Sequence, residues 1–254
     1  MIPRNLHYCW FGGEIPVHLK KCMASWSQAF PEDKWKIILW NESNCDLNCN
    51  NFVRSMTQEK KWGVVSDWFR TKALYEYGGI YLDTDVQVYK PFDDLLEWPG
   101  FLGYMYDSMV ATAVLGFEPH NSFVYELLKI YENIEWVDQK KCFLEITLPN
   151  GKKHICQSSN TVFSYLILSL YEDIQLNGKF QQTSDFVIFP KEEFEIGKIL
   201  GRGHCVHRCD GSWLEQGKKR KLTKLILNIA KYTPIIHGDA LLRSISHKKV
   251  VIYE

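Results

Sequence analysis

The segment YGGIYLDTDVQVYKP, residues 77–91, sets Asp83 and Asp85 two apart in a run that is otherwise apolar and β-branched. In an extended strand alternate side chains share a face, which places Tyr81, Asp83 and Asp85 on one side and Ile80, Leu82, Thr84 and Val86 on the other. At ~3.3 Å of rise per residue the two aspartates have Cα atoms roughly 6–7 Å apart, and their carboxylates repel unless positive charge lies between them. A divalent cation with oxygen ligands supplies that charge. The plain alternative is a strand end that emerges into solvent as a polar Asp-Thr-Asp turn. Just upstream, VVSDWFRTKALYEYGG places Asp67 and Arg70 at i,i+3 on one helical face, a spacing that also suits a simple surface ion pair.

Positioning these groups takes a sheet and the helices that feed it. Residues 2–10 and 35–40 are short, aromatic and β-branched, and each ends at a turn signal, FGG and NESN; both read as strands. Between them Leu19, Met23, Trp26 and Phe30 recur at helical spacing until Pro31 stops the pattern. A further helix is expected over 64–77, closed by Gly78-Gly79, with the strand IYLDTDVQV following at once. This β/α alternation predicts an α/β fold whose first ~120 residues form an open parallel sheet, with ligands bound at the strands' carboxyl ends. Beyond residue 100 the signals weaken: strands at FLGY, TAVLGFE and FVIFP, and helices over 121–132 and 160–171.

Composition narrows the class. The 254 residues are 46% hydrophobic and 14% aromatic, as in a globular enzyme, and 30 basic against 30 acidic residues create no net field for nucleic acid. No apolar run reaches the ~20 residues of a membrane span, and MIPRNLHYCWFGG lacks a signal peptide's apolar core; a cytoplasmic chain is expected. Eight scattered cysteines, among them Cys9, Cys142 and Cys156 in apolar runs, fit reduced core thiols. Cys45/Cys49 and Cys205/Cys209, the latter flanked by His204 and His207, could be assembled into a zinc site, although the spacing is not the usual C-x2-C.

Taken in order, IPRNLHYCWFGG, WKIILWNE, KKWGVVSDWFRTKALYEYGGIYLDTDVQVYKPFDDLL and, far downstream, VHRCDGSW resemble the bacterial DXD-containing sugar transferases of glycosyltransferase family 32. These are relatives of the yeast initiating mannosyltransferase and, more distantly, of the clostridial glucosylating toxins. The resemblance covers residues 1–97 closely and 186–213 in patches. It implies a GT-A fold, a nucleotide-diphospho-sugar donor, Mn2+ or Mg2+, and transfer with retention of anomeric configuration. It places the family's nucleotide-stacking Trp on Trp10, its Asp and Arg on Asp67 and Arg70, its Tyr on Tyr81, its DXD on Asp83 and Asp85, and its C-terminal histidine and SW pair on His207, Ser212 and Trp213. One departure is His207-Arg208, where many bacterial members carry His-His.

On that resemblance Asp85 is the direct metal ligand, Asp83 serves ribose hydroxyls or a metal-bound water, and His207 completes the metal's ligands from a loop whose flanking glycines let it close over donor. Trp213 or Ser212 then reaches the leaving phosphate, Arg70 donates to phosphate or sugar oxygens, and Asp67 accepts from sugar hydroxyls. The expected reaction moves a hexose, from a UDP-sugar in preference to GDP-mannose, to a saccharide acceptor. Lipid-linked oligosaccharide in capsule or surface-polysaccharide synthesis is the expected acceptor class. A donor hydrolase and a non-catalytic nucleotide-sugar-binding subunit are the rival readings.

The chain divides by charge into a transferase domain over 1–213 and a basic, helical appendage over 214–254. The appendage carries nine Lys or Arg against three acids, hence +6. In RKLTKLILNIAK, Leu222, Leu225, Ile226 and Ile229 share a helical face rimmed by Arg220, Lys221, Lys224 and Lys231. That pattern suits peripheral contact with an anionic membrane on its inner face, or equally a helix packed on the core with a solvated basic rim.

Overall fold

A computed structural model describes residues 1–138, 143–197 and 203–209. In chain order its elements are β1 (Asn5–Cys9), α1 (Val17–Met23), α2 (Trp26–Ala29), β2 (Lys36–Trp40), α3 (Asn51–Gln58), α4 (Trp62–Tyr77), β3 (Gly79–Leu82), β4 (Val86–Val88), β5 (Gly100–Tyr106) and β6 (Met109–Phe117). There follow α5 (Ser122–Glu132), β7 (Glu135–Asp138), β8 (Phe143–Thr147), β9 (Lys153–Cys156), α6 (Ser159–Leu170), β10 (Gln181–Gln182), β11 (Val187–Phe189), α7 (Lys191–Phe194) and β12 (Cys205–His207).

Seven strands form the main sheet in the order β10-β11-β5-β6-β3-β1-β2. β1 is parallel to both β2 and β3, as the β/α alternation requires. The sheet is nevertheless mixed, not the parallel sheet expected for the first 120 residues. β5 returns as β6 through the tight turn at Asp107 and Ser108, and β6 lies antiparallel to β3. A two-residue connection leaves no chain for the crossover that parallel neighbours need. The class is α/β, with one apolar cluster built around Val65, Phe69 and Leu115 and a second around Trp26, Phe92 and Phe194.

Two further expectations change. The single helix over 17–30 is broken, because Ser25 Oγ donates to Cys22 O at 2.6 Å and accepts from Val88 N at 2.9 Å; a hydroxyl that bonds backbone competes with the helix ladder. The continuous strand over 80–88 is broken too. β3 ends at Leu82, Val86 N donates to Asp83 O at 3.0 Å to make a turn, and β4 leaves to pair with β12.

The junction between α4 and β3 is fixed by glycines. Gly78 caps the helix at φ 59°, and Gly79 at φ 122° lies so close to β1 that a Cβ there would sit 2.4 Å from Asn5 O. Only glycine accepts both conditions, and with them met β3 enters the sheet directly from α4.

Candidate functional site

The site forms where the parallel strands end. β1 runs out into Trp10 and β3 into the Asp83–Asp85 turn at the same edge of the sheet. Trp10 is half-buried; its indole N–H donates to Gly13 O at 2.9 Å and its backbone N–H to Trp40 O at 3.0 Å.

Beneath the turn lies a buried charged layer. Asp67 and Arg70, which the i,i+3 spacing put on one face of α4, point into the protein and pair at 2.8 Å. Arg70 Nη1 donates to Thr112 O at 2.7 Å, its guanidinium sits 4.7 Å from the centre of the Tyr81 ring, and Nη2 lies 3.7 Å from Asp83 Oδ1. Its Nε is buried with no partner among the described residues. Tyr81 donates its hydroxyl to the same Asp83 oxygen at 2.8 Å. Burial pushes the Asp67 carboxyl up to about 6, against the lowering effect of Arg70. The surface ion pair that this spacing would also allow is therefore not what forms: both side chains are buried.

Asp83 and Asp85 are brought together by the turn, not by alternation along one strand. Asp85 is half-buried and faces His207, whose Nε2 lies 3.4 Å from its Oδ1. His207 is not in a loop. It ends β12, which pairs antiparallel with β4 in the register His207 to Val86, and Arg208 N donates to Asp85 O at 3.0 Å. The strand pair is thus the device that sets an imidazole beside a carboxylate far from it in sequence. One ligand atom from each of Asp83, Asp85 and His207 lies within 4.8 Å of the others. Two carboxylate oxygens and an imidazole nitrogen suit Mn2+, and Mg2+ less well.

A residue absent from the sequence reading orients the histidine. Glu195, 1% exposed, accepts from His207 Nδ1 at 2.9 Å. A carboxylate at one imidazole nitrogen fixes the ring and presents the other to a metal. Burial alone would lower the His207 pKa, but Cys209, Glu195 and Asp85 around it raise it well above the usual value; a cation bound at Nε2 would take the place of that proton. In sequence Glu195 looks like one more acid of KEEFEIG. Its only signal is its place between Phe194 and Ile196, both buried.

Asp85 also opens onto a cleft of about 310 Å³ whose walls include the basic side chains Lys21 and Arg208 together with His18. None of these was marked by sequence for a role there; they come from α1 and from the residue after β12. Ser212, Trp213 and the whole of 214–254 lie outside the described residues.

Comparison with known proteins adds the following. Residues 16–101 match the family described as "Glycosyltransferase sugar-binding region containing DXD motif". The chain is 28% identical over 132 residues to "Inositol phosphoceramide mannosyltransferase 3" of Schizosaccharomyces pombe, covering 50% of this chain and 36% of that protein. It is 27% identical over 140 residues to "Mannosyl phosphorylinositol ceramide synthase SUR1" of Saccharomyces cerevisiae, covering 51% and 34%. The matched segment thus spans only about a third of these relatives' own length. Among solved structures, a glycosyltransferase involved in the glycosylation of the major capsid of PBCV-1 aligns over 82% of this chain and 96% of its own at 10% identity, with a TM-score of 0.44.

Proposed function

We propose, from the premise that residues 16–101 belong to the sugar-binding region of DXD-containing glycosyltransferases, that this chain moves a hexose from a nucleotide-diphospho-sugar to a saccharide acceptor. The observation that carries the reading is the convergence of Asp83, Asp85 and His207 within 4.8 Å at the edge where Trp10 leaves the sheet. A donor hydrolase would favour two carboxylates on either side of a glycosidic bond, whereas here both aspartates face one point.

Each residue then has a task. Asp85 and His207 hold the cation, and Asp83, tethered by Tyr81 and Arg70, accepts from ribose hydroxyls or a metal-bound water. The chemistry that a divalent cation supplies when bound is neutralisation of the diphosphate as it leaves. Lys21 and Arg208 add positive charge, and His18 a further polar side chain, along the cleft beside Asp85, where phosphate oxygens would lie. Trp10 offers an aromatic surface for the base, and Arg70 keeps Asp67 aligned for sugar hydroxyls. Ser212 and Trp213, outside the described residues, keep the role that the family resemblance gives them, reaching the leaving phosphate. Transfer retains the anomeric configuration, and the acceptor is a saccharide, lipid-linked, in surface-polysaccharide synthesis at the inner face of a membrane. The mannosyl transfer named in both relatives supports a hexose donor and makes GDP-mannose the necessary competitor to UDP-hexoses.

The test is a donor panel of UDP-hexoses and GDP-mannose, with Mn2+ and mixed saccharide acceptors, read by released nucleotide and by the anomeric proton of the product. Asp85→Asn is expected to lower turnover at least ~100-fold, since a metal clamp supplies several kcal/mol at the transition state, while leaving the unfolding midpoint nearly unchanged. Turnover undiminished in Asp85→Asn, or no donor cleaved by the wild type, would end this reading.

A further inference from the structure

The Cys/His group singled out in the sequence does not assemble as written. Cys205 donates its thiol to Phe194 O at 3.3 Å inside the core, and His204 is held between Glu193 and Asp94. A different trio does assemble. His207 Nδ1 lies 2.9 Å from Glu195 Oε1 and 3.5 Å from Cys209 Sγ, and one donor atom from each of the three falls within 4.8 Å of the others. Cys209 takes φ 51°, a conformation that non-glycine residues seldom adopt. Its neighbour Arg208 is pinned to Asp85 through the backbone, so both His207 and Cys209 are presented from fixed chain. The third member, Glu195, is a carboxylate almost without solvent.

One oxygen, one nitrogen and one sulfur form the donor set of a thiophilic, four-coordinate ion with water as its fourth ligand. Mn2+ and Mg2+ prefer oxygen-rich surroundings. We propose that Glu195, His207 and Cys209 form a second divalent-cation site, selective for a thiophilic ion such as Zn2+, and that it cannot be filled together with the Asp83–Asp85–His207 group.

The exclusion follows from a single imidazole. Neutral histidine has one protonated nitrogen and one lone pair. With a cation at Nε2, the proton resides on Nδ1 and is donated to Glu195. With a cation at Nδ1, the Cys209 thiol proton and the Nδ1 proton pass to solvent, and the proton on Nε2 is donated towards Asp85. Filling both sites would demand an imidazolate. The thiophilic ion therefore acts as an inhibitor that never touches the donor sugar. The exclusion rests on the role given to His207 above; the existence of the second site does not.

Co2+ probes the site directly, because a cobalt–thiolate bond absorbs in the near ultraviolet. Titration of the intact chain is expected to show a charge-transfer band that is lost in Cys209→Ser and retained in Cys49→Ser. Glu195→Gln should weaken cobalt binding at least about 10-fold, the loss typical even of a residue one shell further out. Excess Mn2+ should bleach the wild-type band, and Asp85→Asn should abolish that competition while keeping the band. A band indifferent to Cys209→Ser, or no band, overturns the site whatever the donor assays give. A Cys209-dependent band that Mn2+ never displaces overturns the mutual exclusion. Absence of turnover both with and without a thiophilic ion counts against the transferase reading alone, whereas turnover that requires such an ion overturns the inhibition.

Discussion

The Asp83 carboxylate is held by two neighbouring side chains. Tyr81 donates to it, and Arg70, itself fixed by Asp67 and Thr112 O, stands on the same oxygen. A hydrogen bond to a charged group contributes about 1.5–3 kcal/mol, so Tyr81→Phe should lower kcat/KM for donor roughly 10-fold or more while circular dichroism stays native. An unchanged kcat/KM would mean that Asp83 is positioned without it. A second residue acts on stability alone. His7 is fully buried, accepts from Trp40 Nε1 at Nδ1 and donates from Nε2 to Gly78 O, which locks the neutral tautomer. Burial is the main cause that brings its pKa down to about 4. Its folded pKa lies below the unfolded value of about 6.5, so its contribution is complete above that pH and is lost as pH falls towards 4. The shift corresponds to roughly 3 kcal/mol at most. Urea midpoints taken from pH 7.5 down to 4.5 should fall steeply in the wild type and less so in His7→Gln; parallel curves would remove His7 from the acid limb.

Among the elements, the joint between α4 and β3 is the least forgiving. Gly79→Ala brings a Cβ against Asn5 O and should cost about 2–4 kcal/mol, seen as a lower unfolding midpoint with a loss of metal affinity in the same variant; a midpoint within error of wild type would show that β1 can yield. The same joint explains what could be read in advance. β1, β2, α4 and β3 announce themselves by apolar periodicity and by Gly78-Gly79, because the pattern that marks each lies within its own few residues. The aspartates were visible as polar exceptions to that pattern. Ser25 breaking a helix, Asp83 starting a turn, and β12 docking on β4 all depend on partners tens of residues away, and local pattern carries no trace of them. Glu195 was hidden for that reason: nothing in KEEFEIG distinguishes the acid that turns inward to His207. α3 and the small sheet of β7, β8 and β9 were also missed, being short elements whose apolar faces exist only once α4, α5 and α6 are in place.

At the scale of the molecule, charge is segregated. The chain as a whole is neutral, so the +6 of residues 214–254 leaves −6 on the rest. No helix among the described residues is long and apolar enough to cross a membrane. A basic segment whose sequence repeats apolar residues at helical spacing would suit anionic headgroups, at about 1 kcal/mol per basic residue near the surface. Flotation with vesicles of anionic lipid should therefore carry the full chain upward at low salt, and neutral vesicles should not; equal flotation with both would leave the tail as a packed or solvated element.

The pairing of β4 with β12 also puts an order on events during synthesis. Asp85 leaves the ribosome 122 residues before His207, by subtraction of their positions, and among the described residues every strand of the main sheet has been made before β12. A nascent chain can thus lay down its sheet and expose both aspartates while the imidazole that completes their cluster is still unwritten. Closing so long a loop is a late step, reached only when earlier contacts have shortened the search. Tight cation binding would in this way report that β12 has been translated and docked on β4.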